Sequence, residues 1–130
     1  MFVDASAIVA ILSLEPEHEE LAERLNDADA AITSSFAIFE AVAAIVRKEG
    51  LSVADARAVV QKFLDRVDAE TVPVTAETGF AALDAFARYG KGRGHPAQLN
   101  LCDCFAYAMA KQYGMPLLYK GDDFSLTDLA

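Results

Sequence analysis

Short apolar runs that alternate with longer helical stretches restrict the fold of this chain more than any other feature. The strand-like runs fall at residues 2–4, 30–33, 70–74 and 116–119, and segments with helical patterning and N-cap residues separate them. Short strands that are joined by helices pair in parallel, with right-handed crossovers. The sequence therefore predicts an α/β fold, an α/β/α sandwich whose central, mainly parallel sheet is flanked by helices.

Length and composition limit the domain organisation. The chain has 130 residues, 54% of them apolar, which is enough to bury a core within a single domain spanning 1–130. This composition excludes intrinsic disorder, collagen-like repeats and a disulfide-stapled miniprotein. The 20 acidic residues outnumber the 11 basic ones, for a net charge of -9. Such a balance argues against a protein that holds nucleic acid through a uniformly basic face.

The N-terminus and the hydropathy pattern predict the compartment. Residues 1–4 carry an acid and no basic residue, unlike a secretory signal peptide. No run approaches the ~18–20 uninterrupted apolar residues that span a membrane. We therefore expect a soluble, cytoplasmic protein without membrane contact. Cys102 and Cys104 are expected to be small buried hydrophobic residues; the alternative, a zinc site, would need nitrogen ligands from His18 and His95.

Two helical segments each contain a single charged residue in an apolar run. Glu40 lies within residues 36–46, and Asp103 lies within residues 101–110. An ionised carboxylate in apolar surroundings costs several kcal/mol unless it is protonated or compensated. The ordinary alternative is that each acid faces water. Because further acids occur at strand ends, we favour a functional site over that alternative.

Acidic residues also stand at the ends of two predicted strands. Asp4 ends the first strand, and Asp122 and Asp123 follow the last one. Ligands bind parallel α/β sheets at the carboxyl ends of their strands, so these acids are expected at one edge. Carboxylates that converge without a neutralising arginine repel one another unless a metal lies between them. All-oxygen ligation suits Mg²⁺, or alternatively Mn²⁺, and indicates phosphoryl transfer or phosphodiester hydrolysis by a metal-activated water.

Four ordered motifs run the length of the chain: FVDASAIVA at 2–10, the helix containing Glu40, NLCDCFAYA at 100–108 and LLYKGDDF at 117–124. Together they resemble the successive motifs of PIN-domain ribonucleases, and most closely those of the VapC toxins of bacterial toxin–antitoxin pairs. The resemblance implies that Asp4, Glu40 and Asp103 form the core of a catalytic Mg²⁺ site, completed by a fourth acid. We favour Asp123 for that position because it directly precedes a phenylalanine, as in the family. Many relatives separate the two acids by one residue, so Asp122 is kept as the substitute.

Neighbouring hydroxyl groups are candidates to support these acids. Ser6 is expected to hold Asp4 by a hydrogen bond. Thr33 or Ser34 is expected to play a similar part at the end of the next strand. Ordinary N-capping is the alternative for these hydroxyls.

One segment of this acidic chain is locally basic. No acid occurs between residues 85 and 102, whereas Lys91 and Arg93 fall in a glycine-rich loop there. Together with Lys120, these residues are candidates to contact RNA phosphates. The alternative for the loop is a solvated segment whose charges only keep it soluble.

These observations give one leading hypothesis and two alternatives. The leading hypothesis is a Mg²⁺-dependent endoribonuclease, the toxin of a type II toxin–antitoxin system, that leaves 5′-phosphate and 3′-hydroxyl ends. The resemblance also implies a cognate VapB-type antitoxin, which inserts an arginine among the carboxylates, and a homodimer. A catalytically silent acidic module that receives a basic partner is the first alternative. A phosphoacceptor receiver-like domain is the second, but it needs adjacent acids after the first strand, where Asp4 stands alone.

Overall fold

Four short strands form one sheet at the centre of the computed structural model, which describes residues 1–130. They are β1 (Phe2–Val3), β2 (Ala31–Ser34), β3 (Ala69–Val72) and β4 (Leu117–Leu118). The order across the sheet is β3-β2-β1-β4, and every neighbouring pair is parallel. The first strand therefore lies in the middle, between the second strand and the last.

Six helices connect and cover these strands. They are α1 (Ala5–Leu12), α2 (His18–Asn26), α3 (Ser35–Glu49), α4 (Val53–Arg66), α5 (Ala76–Tyr89) and α6 (Leu101–Gln112). None of them is both long enough and apolar enough to cross a membrane. The predicted α/β class is confirmed, and the sheet is wholly rather than mainly parallel.

The core divides into two layers, one on each face of the sheet. Successive residues of a strand point to opposite faces, and β1 illustrates this with its two residues. Phe2 packs into a cluster of 16 buried residues that includes Met109 of α6. Val3 packs into a second cluster of 16 that includes Ile45 of α3 and Val60 of α4. The two clusters on opposite faces of the sheet form the predicted sandwich.

The third strand differs from its predicted bounds for a simple reason. The sequence pattern predicts a strand over residues 70–74, whereas β3 ends at Val72. Pro73 follows, and proline has no N–H to donate to a neighbouring strand. β3 is also an edge strand, paired only with β2, and two of its four residues are exposed.

Short connections at the carboxyl edge of the sheet bring helix starts close to the strand ends. Asp4 directly follows β1 and caps α1, and Ser34 ends β2 and caps α3. Thr33 Oγ1 donates a hydrogen bond to the carbonyl of Val3 at 3.0 Å, which ties β2 to the residue before Asp4. The first turns of α1 and α3 therefore begin side by side at this edge.

Candidate functional site

Four acids that the sequence predicts for the site, from four separate segments, line one cavity of about 300 Å³ at the carboxyl edge of the sheet, and Glu15 is a fifth acid in its wall. The segments are the end of β1, helix α3, helix α6 and the chain after β4, which contribute Asp4, Glu40, Asp103 and Asp123. These residues are far apart in sequence and meet only in the folded chain. The cavity also contains Arg47 and Lys120, so its wall carries both signs of charge.

Asp4 is held in place by the residue two positions further on. It is only 4% exposed, and its Oδ2 accepts hydrogen bonds from the backbone N–H of Ser6 at 3.0 Å and from the Ser6 hydroxyl. Burial raises the pKa of the Asp4 carboxyl, and the bonds from Ser6 oppose that rise. Ser6 therefore makes the contact with Asp4 that the sequence predicts.

Glu40 lies one turn and a half into α3, and its side chain is half-buried. Burial raises the pKa of its carboxyl, and the negative charge of Asp4 raises it further. The Cys102 thiol lies beside it; burial raises the pKa of this thiol to about 12, and the Glu40 charge adds to the rise. The thiol is therefore a protonated neighbour of Glu40 and not a nucleophile.

Asp103 does not face water, in contrast to the ordinary alternative for a lone acid in a helix. It is 6% exposed, and its Oδ2 accepts a hydrogen bond from the backbone N–H of Asn100 at 3.0 Å. Asn100 Oδ1 accepts the N–H of Asp103 in return, at 2.9 Å, which completes a capping box. Burial raises the pKa of Asp103 from 3.8 to about 7, and the charges of Asp123 and Asp4 contribute.

The two adjacent acids after β4 have different positions. Asp123 lines the cavity, whereas Asp122 does not. The carbonyl of Asp122 accepts hydrogen bonds from the backbone N–H and the hydroxyl of Ser125, which forms a turn. Phe124 is 2% exposed and packs against Tyr119, so the tail is anchored immediately after Asp123.

The donor set of the cavity fits a hard divalent cation. The four predicted carboxylates supply only oxygen ligands, and burial raises the pKa of three of them, with smaller contributions from the neighbouring acids. The acids line a common cavity, but no three of them converge on one point as ligands of an ion. Mutual repulsion between like charges favours such spreading.

Among the three basic residues that the sequence suggested, Lys120 is the one that lines the cavity. Lys120, which the sequence singled out, lies 3.3 Å from Glu15 and 3.9 Å from Glu17 through its Nζ. Glu15 also pairs with Lys48, and this contact holds the pKa of Glu15 below its usual range. Glu15 carries no sequence signal because its loop approaches the cavity only through the packing of α1 and α2.

Arg47 also lines the cavity, although the sequence suggested acids without a neighbouring arginine. It follows Glu40 by seven residues, close to two helical turns, so both side chains project from the same face of α3. That spacing is a signal from which the position of Arg47 could have been predicted.

The remaining predicted residues lie outside the cavity. The side chains of Thr33 and Ser34 form hydrogen bonds with the backbone and not with the acids. Thr33 donates to the carbonyl of Val3, and Ser34 accepts from the N–H of Ala37. Ser34 thus performs the N-capping that was its alternative role. Lys91 and Arg93 do not line the cavity, and the Arg93 guanidinium lies 5.6 Å from the ring centroid of Phe86.

Neither alternative chemistry has a supporting arrangement. The absence of three His, Cys, Asp or Glu side chains placed to hold one metal ion applies to the zinc alternative for Cys102 and Cys104 as it does to the four acids. Cys104 is buried, as predicted, and Cys102 is half-buried. A phosphoacceptor domain would need an acceptor acid directly after a middle strand. The corresponding strand here, β3, is followed by Pro73 and lies at the edge of the sheet.

Comparison with known proteins gives the family. A family model described as the PIN domain matches residues 1–129. The chain therefore belongs to the PIN-domain family.

Individual relatives narrow the similarity to one group. The chain is 50% identical to a VapC ribonuclease of Rhizobium meliloti (strain 1021), with 98% of each chain covered. It is 42% identical to a ribonuclease VapC of Mycolicibacterium smegmatis, covering 100% of this chain and 98% of that one. The crystal structure of Mycobacterium tuberculosis VapC20, a sarcin-ricin loop cleaving toxin, has a TM-score of 0.73 at 18% identity, covering 95% of this chain and 92% of that one. This last likeness concerns the fold, and the resemblance to VapC toxins that the motifs indicated is confirmed.

Proposed function

We propose that this protein is a Mg²⁺-dependent endoribonuclease and the toxic component of a type II toxin–antitoxin system. The observation that carries the proposal is the single cavity in which Asp4, Glu40, Asp103 and Asp123 meet from four segments of the chain. The names of the relatives, VapC ribonucleases, support RNA as the substrate. RNA cleavage of this kind would take place in the cytoplasm.

The four carboxylates are the residues that would hold Mg²⁺, with Mn²⁺ as the alternative ion. A bound ion of this type lowers the pKa of a water molecule and stabilises the charge that develops on the phosphate. Asp123 is our choice for the fourth ligand because it lines the cavity and Asp122 does not. Because a ligand that binds only the folded state stabilises it, a divalent cation held by these acids would also stabilise the folded protein.

The residues around the acids define what the chain itself contributes. Ser6 fixes Asp4 through two bonds to one oxygen, and the N–H of Asn100 fixes Asp103, so both carboxylates keep defined orientations. With water as the nucleophile, attack at phosphorus breaks the P–O3′ bond. The products then carry 5′-phosphate and 3′-hydroxyl ends, and the leaving 3′ oxygen takes up a proton.

Cleavage by the purified protein tests the proposal directly. We expect wild-type protein to cut RNA in Mg²⁺ or Mn²⁺ and to lose the activity in EDTA. Asp4→Asn and Asp103→Asn should each lower the rate by at least about 100-fold. Ligation of an adaptor that requires a 5′-monophosphate identifies the new ends. Equal cleavage in EDTA would contradict the metal mechanism.

A titration of thermal stability separates an enzyme from a silent acidic binding module. Mg²⁺ should raise the melting temperature of the wild type and have a smaller effect on Asp103→Asn. A melting temperature that does not respond to Mg²⁺ or Mn²⁺ would favour the binding module. Induction in a host cell gives a second measure, because the wild type should arrest growth and Asp4→Asn should not.

Partner binding is part of the same proposal. An apolar groove between α3 and α4 is lined by residues that include Ile38, Phe39 and Val53, and Phe39 is 77% exposed. On α5, Phe80 and Leu83 are 68% and 61% exposed. Apolar surfaces of this kind mark protein contacts, and they support a VapB-type antitoxin and a homodimer as partners. Light scattering of the purified chain, alone and co-expressed with a VapB-type antitoxin, tests both.

A further inference from the structure

Arg47 lies at the junction of two surface features. It lines the carboxylate cavity, and it also lines the apolar groove between α3 and α4. Its position in the last turn of α3 places it two turns from Glu40 on the same helix face. An elongated molecule that leaves the cavity along α3 would therefore pass the Arg47 side chain.

The guanidinium of Arg47 makes no salt bridge or hydrogen bond within the protein, and its charge acts on Glu40 only from a distance, where it opposes the rise in the pKa of that carboxyl. No carboxylate lies within 4.0 Å of it, whereas Lys48 and Lys120 are both paired with Glu15. Its side chain makes none of the hydrogen bonds found in the structure, and the residue is exposed. Among the cations that line the cavity, Arg47 is thus the one whose donors are free to bind a ligand.

An anionic substrate needs such a cation at this place. The protein has a net charge of -9, and five carboxylates line the cavity, Glu15 among them, so a phosphodiester that approaches it is repelled. Guanidinium groups bind phosphate oxygens through two parallel hydrogen bonds, which also fixes the direction of the strand.

We propose that Arg47 binds a backbone phosphate of the RNA adjacent to the scissile one and so directs the strand into the carboxylate cavity. This inference rests on the proposed ribonuclease function and extends it to a substrate-binding residue. Arg47 touches the substrate in this account but takes no part in bond breaking. Its loss should therefore weaken RNA binding more than it slows the chemical step.

A purely structural role is the competing explanation, and the chain offers a matched control for it. A cation in the last turn of a helix stabilises the helix through the partial negative charge at its C-terminus. Arg66 occupies the corresponding last turn of α4, is also exposed and does not line the cavity. Arg47→Gln and Arg66→Gln remove the same charge from the last turn of a helix.

The test combines binding and kinetics for wild type, Arg47→Gln, Arg47→Lys and Arg66→Gln. Binding of a fluorescent, mixed-sequence single-stranded RNA is measured by anisotropy at several salt concentrations, with Asp4→Asn added to every protein to prevent cleavage. We expect Arg47→Gln to weaken binding about tenfold and to reduce the salt slope by about 0.7. KM should rise by a similar factor with kcat changed less than about threefold. Arg47→Lys should retain the salt slope and part of the affinity.

The results distinguish an RNA-binding role of Arg47 from a purely structural one. Arg66→Gln should match the wild type in RNA affinity and KM. If the wild type cuts RNA but Arg47→Gln has the same RNA affinity and KM as Arg66→Gln, the proposed role of Arg47 is overturned. The proposed function then remains intact. A wild type that neither binds nor cuts RNA would overturn the proposed function and this inference together.

Discussion

Ser6 Oγ donates a hydrogen bond to the Asp4 carboxylate, and the same oxygen accepts one, 3.0 Å long, from the backbone N–H of Lys120. One hydroxyl thus connects the acid after β1 to the segment that follows β4. Ser6→Ala removes both bonds, and we expect a loss of about 1–2 kcal/mol in unfolding free energy. Because Asp4 then keeps only the bond from the backbone N–H of residue 6, its orientation is less restricted, and RNA cleavage should fall by about 10- to 100-fold. Urea unfolding and initial cleavage rates measure the two effects.

Ser13 provides the control for this substitution. Its Oγ is buried and has no hydrogen-bond partner, so Ser13→Ala removes a hydroxyl that contributes no bond. We expect Ser13→Ala to be neutral or slightly stabilising and to retain full activity. Equal activity of Ser6→Ala and Ser13→Ala would contradict the role of Ser6.

The raised pKa of Asp103 predicts how the stability of the metal-free protein depends on pH. The folded-state pKa is about 7, whereas the ordinary value is 3.8, so the folded protein binds the proton more tightly than the unfolded chain. Unfolding free energy in EDTA should therefore fall as the pH rises from about 4 to about 7 and level off above that. The contribution of this group is about 4 kcal/mol at most, at 1.4 kcal/mol per pKa unit. Urea unfolding at a series of pH values measures it.

Asp103→Asn tests the assignment of this pH dependence. The amide oxygen can still accept the N–H of Asn100, so the capping box is retained while the charge is lost. In EDTA at pH 8 the variant should be more stable than the wild type and should depend less on pH. With Mg²⁺ added, the wild type should become the more stable of the two proteins, because it retains the Asp103 carboxylate as a ligand. A wild type whose stability in EDTA is constant between pH 4 and 8 would refute the prediction.

Asp128 anchors the C-terminal tail and predicts a different pH response. It accepts hydrogen bonds from the hydroxyl of Tyr107 at 2.6 Å and from Nζ of Lys111 at 2.9 Å. The Tyr107 bond, followed by that of Lys111, lowers the pKa of Asp128 to about 2. Its stabilising contribution is therefore complete above about pH 4 and is lost as the pH falls through 2.

Asp128→Asn should remove the charge-assisted part of this anchor. Because the carboxylate is partly exposed, solvent screens the interaction, and we expect a loss of about 1 kcal/mol at pH 7. Hydrogen exchange of residues 122–130 should become faster, since these contacts hold the tail against α6. Asp84→Asn, an exposed acid on α5, is the control and should change stability by less than about 0.5 kcal/mol. Unchanged exchange in Asp128→Asn would show that the buried Phe124 alone anchors the tail.

The fold class and two of the site acids could be predicted because both depend on the local pattern of apolar and charged residues. The strand and helix alternation gave the fold class, and lone acids in apolar runs pointed to Glu40 and Asp103, because an uncompensated charge is costly in such a run. The order of strands was not predicted, since two-residue strands carry too little pattern to specify their neighbours. Glu15 reaches the cavity only through helix packing, and Lys91 is near Asp103 in sequence but not in the cavity. Sequence proximity of a loop to a site therefore does not predict contact with it.

The two adjacent acids after β4 offer the most stringent test of the site, because they have the same side chain and only one of them lines the cavity. Both acids are exposed, but Asp123 lines the cavity, while Asp122 does not and forms a turn through its carbonyl. Asp123→Asn should lower RNA cleavage by at least about 100-fold and reduce the thermal stabilisation by Mg²⁺. Asp122→Asn should stay within about threefold of the wild type in both measurements, because the turn uses its backbone. Initial rates across a Mg²⁺ titration distinguish weaker ion binding from slower chemistry. If Asp122→Asn had the larger effect, the tail would have to rotate when the ion binds, and the fourth ligand would be Asp122.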